Sequence, residues 1–179
     1  MRTFFIASLA FGISTTAKDL VERRLPSLIV PLSKYQADVP QNTQKKVYID
    51  HNIFTEVSFD VPSNNATECK LGFYINTEPT RGAPWTIWGE APYLFDVLRL
   101  RPIMNKDADT WNRHPEIDGW AATVEVSKSG DVNIFGGRLP CVKGEAAQFL
   151  LTPGSERDFG LNWFELKDPL HGITYEMYA

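Results

Sequence analysis

Glu68-Cys69-Lys70-Leu71-Gly72-Phe73-Tyr74-Ile75 is a short apolar run headed by one of the chain's two cysteines. It follows a segment in which Ile53, Thr55, Val57 and Phe59 share one face of a period-two pattern, opposite Phe54, Glu56, Ser58 and Asp60. Side chains that alternate in this way line the two faces of a β-strand. Pro62-Ser63-Asn64-Asn65 then breaks the pattern, so the two runs read as a hairpin with Asn65-Ala66-Thr67 at its tip.

Outward from this pair the same pattern repeats. Strands are expected at Trp85–Trp88, Tyr93–Leu100, Trp120–Ser127, Val132–Phe135, Ala147–Leu151, Leu161–Leu166 and Gly172–Tyr178. Turn residues separate them, and Ser127-Lys128-Ser129-Gly130-Asp131 reads as a tight hairpin because glycine adopts a positive φ without strain. Short strands at a spacing of roughly ten residues indicate an all-β fold, an antiparallel β-sandwich of jelly-roll-like or Greek-key type. At most short helical turns are expected, at Leu20–Arg24 and within Met104–Trp111.

A chain of 179 residues is long enough for one domain with a sizeable core. Hydrophobic residues at 43% and charged residues at 22% argue against wholesale disorder. The net charge of −4, with no basic run, argues against nucleic acid or an anionic membrane surface as partner.

Met1-Arg2, the apolar run Phe4–Ile13 and Thr15-Thr16-Ala17 have the order of a cleaved signal peptide over residues 1–17. The apolar run covers only about half of a membrane's hydrocarbon core, so an anchor is the poorer reading and the protein is expected to be secreted. Residues 18–24, charged and ending in Arg23-Arg24, read as a pro-segment or a polar leader, and residues 25–179 as the domain. In an oxidising compartment two cysteines are most simply one disulfide, Cys69 to Cys141, which stabilises the fold by about 4 kcal/mol on the loop-closure model. Secretion also makes Asn65 a glycan acceptor, because Asn65-Ala66-Thr67 fits the acceptor sequon.

Several segments, taken in order, resemble a known family: Leu28-Ile29-Val30-Pro31, Val57-Ser58-Phe59-Asp60-Val61-Pro62, Glu68-Cys69-Lys70-Leu71-Gly72-Phe73, Phe95-Asp96-Val97-Leu98-Arg99-Leu100, Leu139-Pro140-Cys141-Val142-Lys143-Gly144-Glu145 and Leu161-Asn162-Trp163-Phe164. Across residues 25–178 the chain is similar to the fungal ubiquitin-activating-enzyme-binding But-two carboxy-terminal domain family. The resemblance implies an all-β fold, the cysteines Cys69 and Cys141, and a secreted single-domain protein. The activating enzyme behind the family's name is intracellular, so a secreted chain does not meet it, and the resemblance supplies no catalytic residues.

Candidate chemistry is sparse. His51, His114 and His171 lie at no metal-ligand spacing and read as solvated or turn histidines, and Asp107 and Asp109 read as a solvated acidic loop. No nucleophile elbow, phosphate loop or zinc helix is present, so no catalytic residue, metal or cofactor is assigned. Trp85, Trp88 and Trp111 either fill the core or offer ring faces to a ligand, and on a regular strand Trp85 and Trp88 face opposite sides. The expected function is non-catalytic binding of a cell-wall, surface or host ligand, a carbohydrate or an extracellular protein. Alternatives are a polysaccharide hydrolase using loop carboxylates, and a structural or protein-interaction module.

Overall fold

The computed structural model describes residues 18–101 and 103–179, and the signal-peptide reading of residues 1–17 lies outside them. The strands in chain order are β1 (Leu20–Arg24), β2 (Leu28–Ser33), β3 (Lys46–Ile49), β4 (Ile53–Asp60), β5 (Glu68–Tyr74), β6 (Trp85–Gly89), β7 (Leu94–Leu100), β8 (Ile117–Val126), β9 (Val132–Gly136), β10 (Arg138–Leu139), β11 (Ala146–Pro153), β12 (Phe159–Phe164) and β13 (Gly172–Tyr178). Lys34–Gln36 forms one short 3-10 turn.

All pairings between these strands are antiparallel, and they build three open sheets. The largest has the order β2-β4-β11-β7-β8-β9, the second β1-β13-β5-β10 and the third β3-β12-β6. Inward residues of the six-stranded sheet pack with those of both smaller sheets in one core, which makes an all-β sandwich. Its centre takes one aromatic from each sheet: Phe73 of β5, Phe95 of β7 and Trp163 of β12. Phe73 meets Phe95 edge-on at 5.2 Å and Trp163 at 4.8 Å between centroids, a geometry that aromatic quadrupoles favour.

The stretch Glu68–Tyr74 sits where its pattern demands. Cys69, Leu71 and Phe73 point into the core, while Glu68, Lys70, Gly72 and Tyr74 face out. Cys69 is disulfide-bonded to Cys141 with 5.2 Å between Cα atoms. Cys141 follows β10, the short strand that pairs with β5. Gly130 closes the β8–β9 hairpin at φ 90°.

Two expectations are corrected. β4 and β5 do not pair as a hairpin: β4 lies between β2 and β11, and β5 between β13 and β10. Residues 61–67 instead carry the chain from one layer to the other, with Val61 and Ala66 buried on the way. Leu20–Arg24 is a strand, not a helical turn, and it joins the second sheet as the edge partner of β13. Residues 20–24 are thus docked on the second sheet. Beyond these corrections, β4 is buried on both faces, because residues 103–116 fold over the outer face of the large sheet and build a second core of Val30, Leu32, Leu100 and Leu150, flanked by Phe54, Leu98, Met104 and Trp111.

Candidate functional site

The sandwich leaves two tryptophans open to solvent. Trp88, on β6, is 39% exposed and lies over Gly160, its direct cross-strand partner on β12. A Cβ at Gly160 would collide with the indole, so the glycine is what lets the ring lie flat on the sheet. Trp120, on β8, is 53% exposed and uses the same device, resting against Gly136 of β9. A bulge in β8 opposite Val97 and Leu98 turns Trp120 outward while Ala122 stays in the core.

Around Trp120 the outer face is more developed. Its Nε1–H donates to Thr123 Oγ1 at 3.0 Å, and the Thr123 hydroxyl donates to Asp96 Oδ1. Phe135, 54% exposed, stands opposite Thr123 on β9, and Ile117 is also exposed at the start of β8. Asn133 and Glu125 extend the face with a 3.4 Å hydrogen bond. The result is a fixed aromatic surface bordered by hydrogen-bonding groups.

The three tryptophans singled out from sequence do not form one site. Trp85 turns inward and packs on the main core, opposite in direction to Trp88 as the period of two requires. Trp111 packs on Phe54 in the second core, 4.4 Å between ring centroids. Trp120 was missed because its outward turn depends on the bulge, which no local pattern announces. Asn65 is exposed, its neighbour Ala66 being anchored in the core.

Acidic groups that are shifted upward lie inside, away from any open face. Glu56 is fully buried in the second core beside Asp109, and neither of its carboxyl oxygens meets a donor. Burial, reinforced by Asp109, pushes it up to about 8, so a proton is held at this pair at neutral pH. Asp109 is therefore not part of a solvated loop, although Asp107 is exposed and paired with Lys106. Burial likewise pushes Glu165 up to about 8, against hydrogen bonds to Oε1 from Trp163 Nε1 at 2.7 Å and Ile173 N at 3.0 Å. His171 is not solvated either: it is fully buried, Nδ1 accepts from Asn76 N at 2.8 Å, and burial pushes its pKa down. His51 and His114 bond the carbonyls of Arg157 and Pro115. Among the described residues no three His, Cys, Asp or Glu side chains gather at a possible metal site.

Glycosidic hydrolysis requires a raised acid and an ionised partner across an open cleft. The cleft between Tyr93 and Asn133 holds Glu125 and Asp131, but Ser129 and Ser127 hold Asp131 below the usual range. The raised acids are sealed elsewhere.

A family model described as the ubiquitin 3 binding protein But2 C-terminal domain matches residues 24–169. The chain belongs to that family. The match takes in β2 through β12, including Trp88, Trp120 and both cysteines, and leaves β13 and nearly all of β1 outside. No curated protein matches this But2 C-terminal domain chain.

Proposed function

We propose that this protein is a secreted, non-catalytic binding domain, and that its ligand is a saccharide of a cell-wall or cell-surface polymer held on the Trp120 face. The carrying observation is that Trp120, half exposed, rests against Gly136 and is fixed through Thr123 and Asp96. A rigid ring with one open face meets the apolar face of a sugar without losing side-chain entropy on binding, while neighbouring carboxylate and amide groups accept and donate hydrogen bonds at the rim. Trp88 on Gly160 supplies a second, smaller platform. The family's description as a binding protein supports a non-catalytic binding role without pointing to a saccharide, and the disulfide suits an oxidising compartment.

The test is a glycan array and a wall-polysaccharide pull-down with secreted wild-type protein, W120A and W88A. Saturable binding that W120A weakens tenfold or more, with both variants folded, is the expected result. Absence of binding by folded wild-type protein sinks the saccharide reading. The second reading, a protein partner, rests on the exposed apolar trio Trp120, Phe135 and Ile117. It is favoured if W120A abolishes capture of an extracellular protein while the array stays blank.

A further inference from the structure

The second sheet ends in a strand that the core does not hold. No β1 side chain belongs to either core, and Leu20 and Val21 are 43% and 39% exposed. What attaches β1 is its backbone ladder to β13, the Asp19–Ala179 backbone pair, Arg23, a 3.3 Å hydrogen bond from Asn64 Nδ2 to Glu22 Oε2, and, just ahead of the strand, Lys18 on Thr67 and Glu68. Arg23 faces Glu176 in register and donates from Nε to Oε1 at 2.7 Å.

Glu176 is an unusual residue for the outer face of a sheet, being only 4% exposed. Gly72 on β5 makes this possible, since a Cβ there would lie 3.0 Å from Glu176 Oε1 and 2.6 Å from Thr174 Oγ1. Tyr74 donates to Oε1 at 2.6 Å and Tyr178 to Oε2. The guanidinium of Arg23 also lies over the Tyr74 ring, 5.2 Å from its centroid. With β1 removed, a sunken carboxylate flanked by two tyrosines would remain beside an unpaired row of β13 backbone groups. A bare strand edge templates another strand, and a sunken carboxylate requires a cation. A planar group that bonds the carboxylate and stacks on Tyr74 is arginine rather than lysine.

We propose that the β13 edge is a strand-binding site: hydrolysis after Arg24 frees β1, and the site then takes an extended segment of a partner protein with arginine at the Arg23 register position. The sequence supports release: Arg23-Arg24 is a dibasic pair at the end of a strand that contributes no side chain to either core. A dibasic-directed endoprotease adds water across the Arg24–Leu25 bond, leaving a carboxylate on Arg24 and a new amino group on Leu25. Addition of a strand to a sheet edge then draws affinity from the backbone and specificity from alternate side chains.

The experiment starts from the folded full chain, cut with such a protease under non-reducing conditions. A fluorescent peptide of residues 18–24 is added and followed by anisotropy over hours, with Arg23→Gln and Arg23→Lys peptides alongside and an E176Q protein as the matched variant. Expected are exclusion of peptide by uncut protein, uptake by cut protein, and at least tenfold weaker uptake of the glutamine peptide and by E176Q. The lysine peptide falls between. Resistance of the folded chain to cutting, unfolding on cutting by near-ultraviolet circular dichroism, absence of uptake, or equal uptake of arginine and glutamine peptides each overturns the proposal. A dimeric uncut chain on a sizing column assigns the edge to a second copy's β1 and overturns the partner as well.

Discussion

Replacing Glu56 by glutamine should change how stability depends on pH. In the folded chain burial and Asp109 push Glu56 from 4.5 up to about 8. A carboxyl whose folded pKa lies above its unfolded value binds more protons folded than unfolded between those two values. Stability is therefore greatest in acid, falls as pH rises from about 4.5 to about 8, and is level above that. At 1.36 kcal/mol per pKa unit the loss is about 5 kcal/mol. Glutamine has the shape of the protonated acid and an amide N–H₂ that donates to Asp109, but it does not titrate. E56Q should match wild type closely at pH 5 and exceed it at pH 9 by about 10–20 °C in Tm, since roughly 2–4 °C corresponds to 1 kcal/mol in a chain of this size. Thermal unfolding by circular dichroism at both pH values measures this. Comparing the two proteins cancels every other group that titrates, Glu165 included. A Tm difference that is the same at pH 5 and pH 9 would refute the reasoning, because Glu56 would then carry no proton that water could not equally supply.

Three further outcomes are expected. Replacing Cys69 and Cys141 together by serine should lower stability by about 4 kcal/mol in chemical denaturation, and mass spectrometry of the unreduced protein should find the two cysteines in one linked peptide. Gly160→Ala puts a methyl group where the Trp88 indole lies, so it should destabilise by about 1–3 kcal/mol and, by lifting the ring into water, red-shift part of the tryptophan fluorescence; an unchanged spectrum and Tm would contradict the flat stacking. Protein secreted from a eukaryotic host should carry a glycan that N65Q removes, seen as a single step in mass after glycosidase treatment.

How far the chain could be read in advance follows from the range of the interactions involved. The inward set Cys69, Leu71 and Phe73 was legible because alternation is local, and so was the opposition of Trp85 and Trp88. The Gly130 turn was legible because a positive φ has a residue signature. What failed was set at long range. The polar turn after β4 looked like a hairpin tip, yet strand partners are decided by the whole sheet order, and Ala66 is too small a signal to announce a change of layer. That residues 20–24 form an edge strand was not legible either, because an edge strand needs only a backbone ladder on one side, and its partner stands at the far end of the chain.

The candidate site shows the same division. Asp109 sits in a polar segment, and the loop that carries it was expected to be wet. Asp109 itself is dry because Met104 and Trp111, on either side, find Phe54 and Leu150 on the outer face of the large sheet and draw that part of the loop down with them. The acid then meets Glu56, which alternation alone placed only on the strand face opposite Val57 and Phe59. Trp120 and Trp88 depend on glycines 16 and 72 positions away in sequence, Gly136 and Gly160. A tryptophan opposite or diagonal to a cross-strand glycine is a recognisable motif once the register is known, and without the register it is only one tryptophan among five. The surface on which binding is proposed was thus hidden for the same reason as the buried acids: each is made by pairing distant segments, and only the residues that pair locally declare themselves in order along the chain.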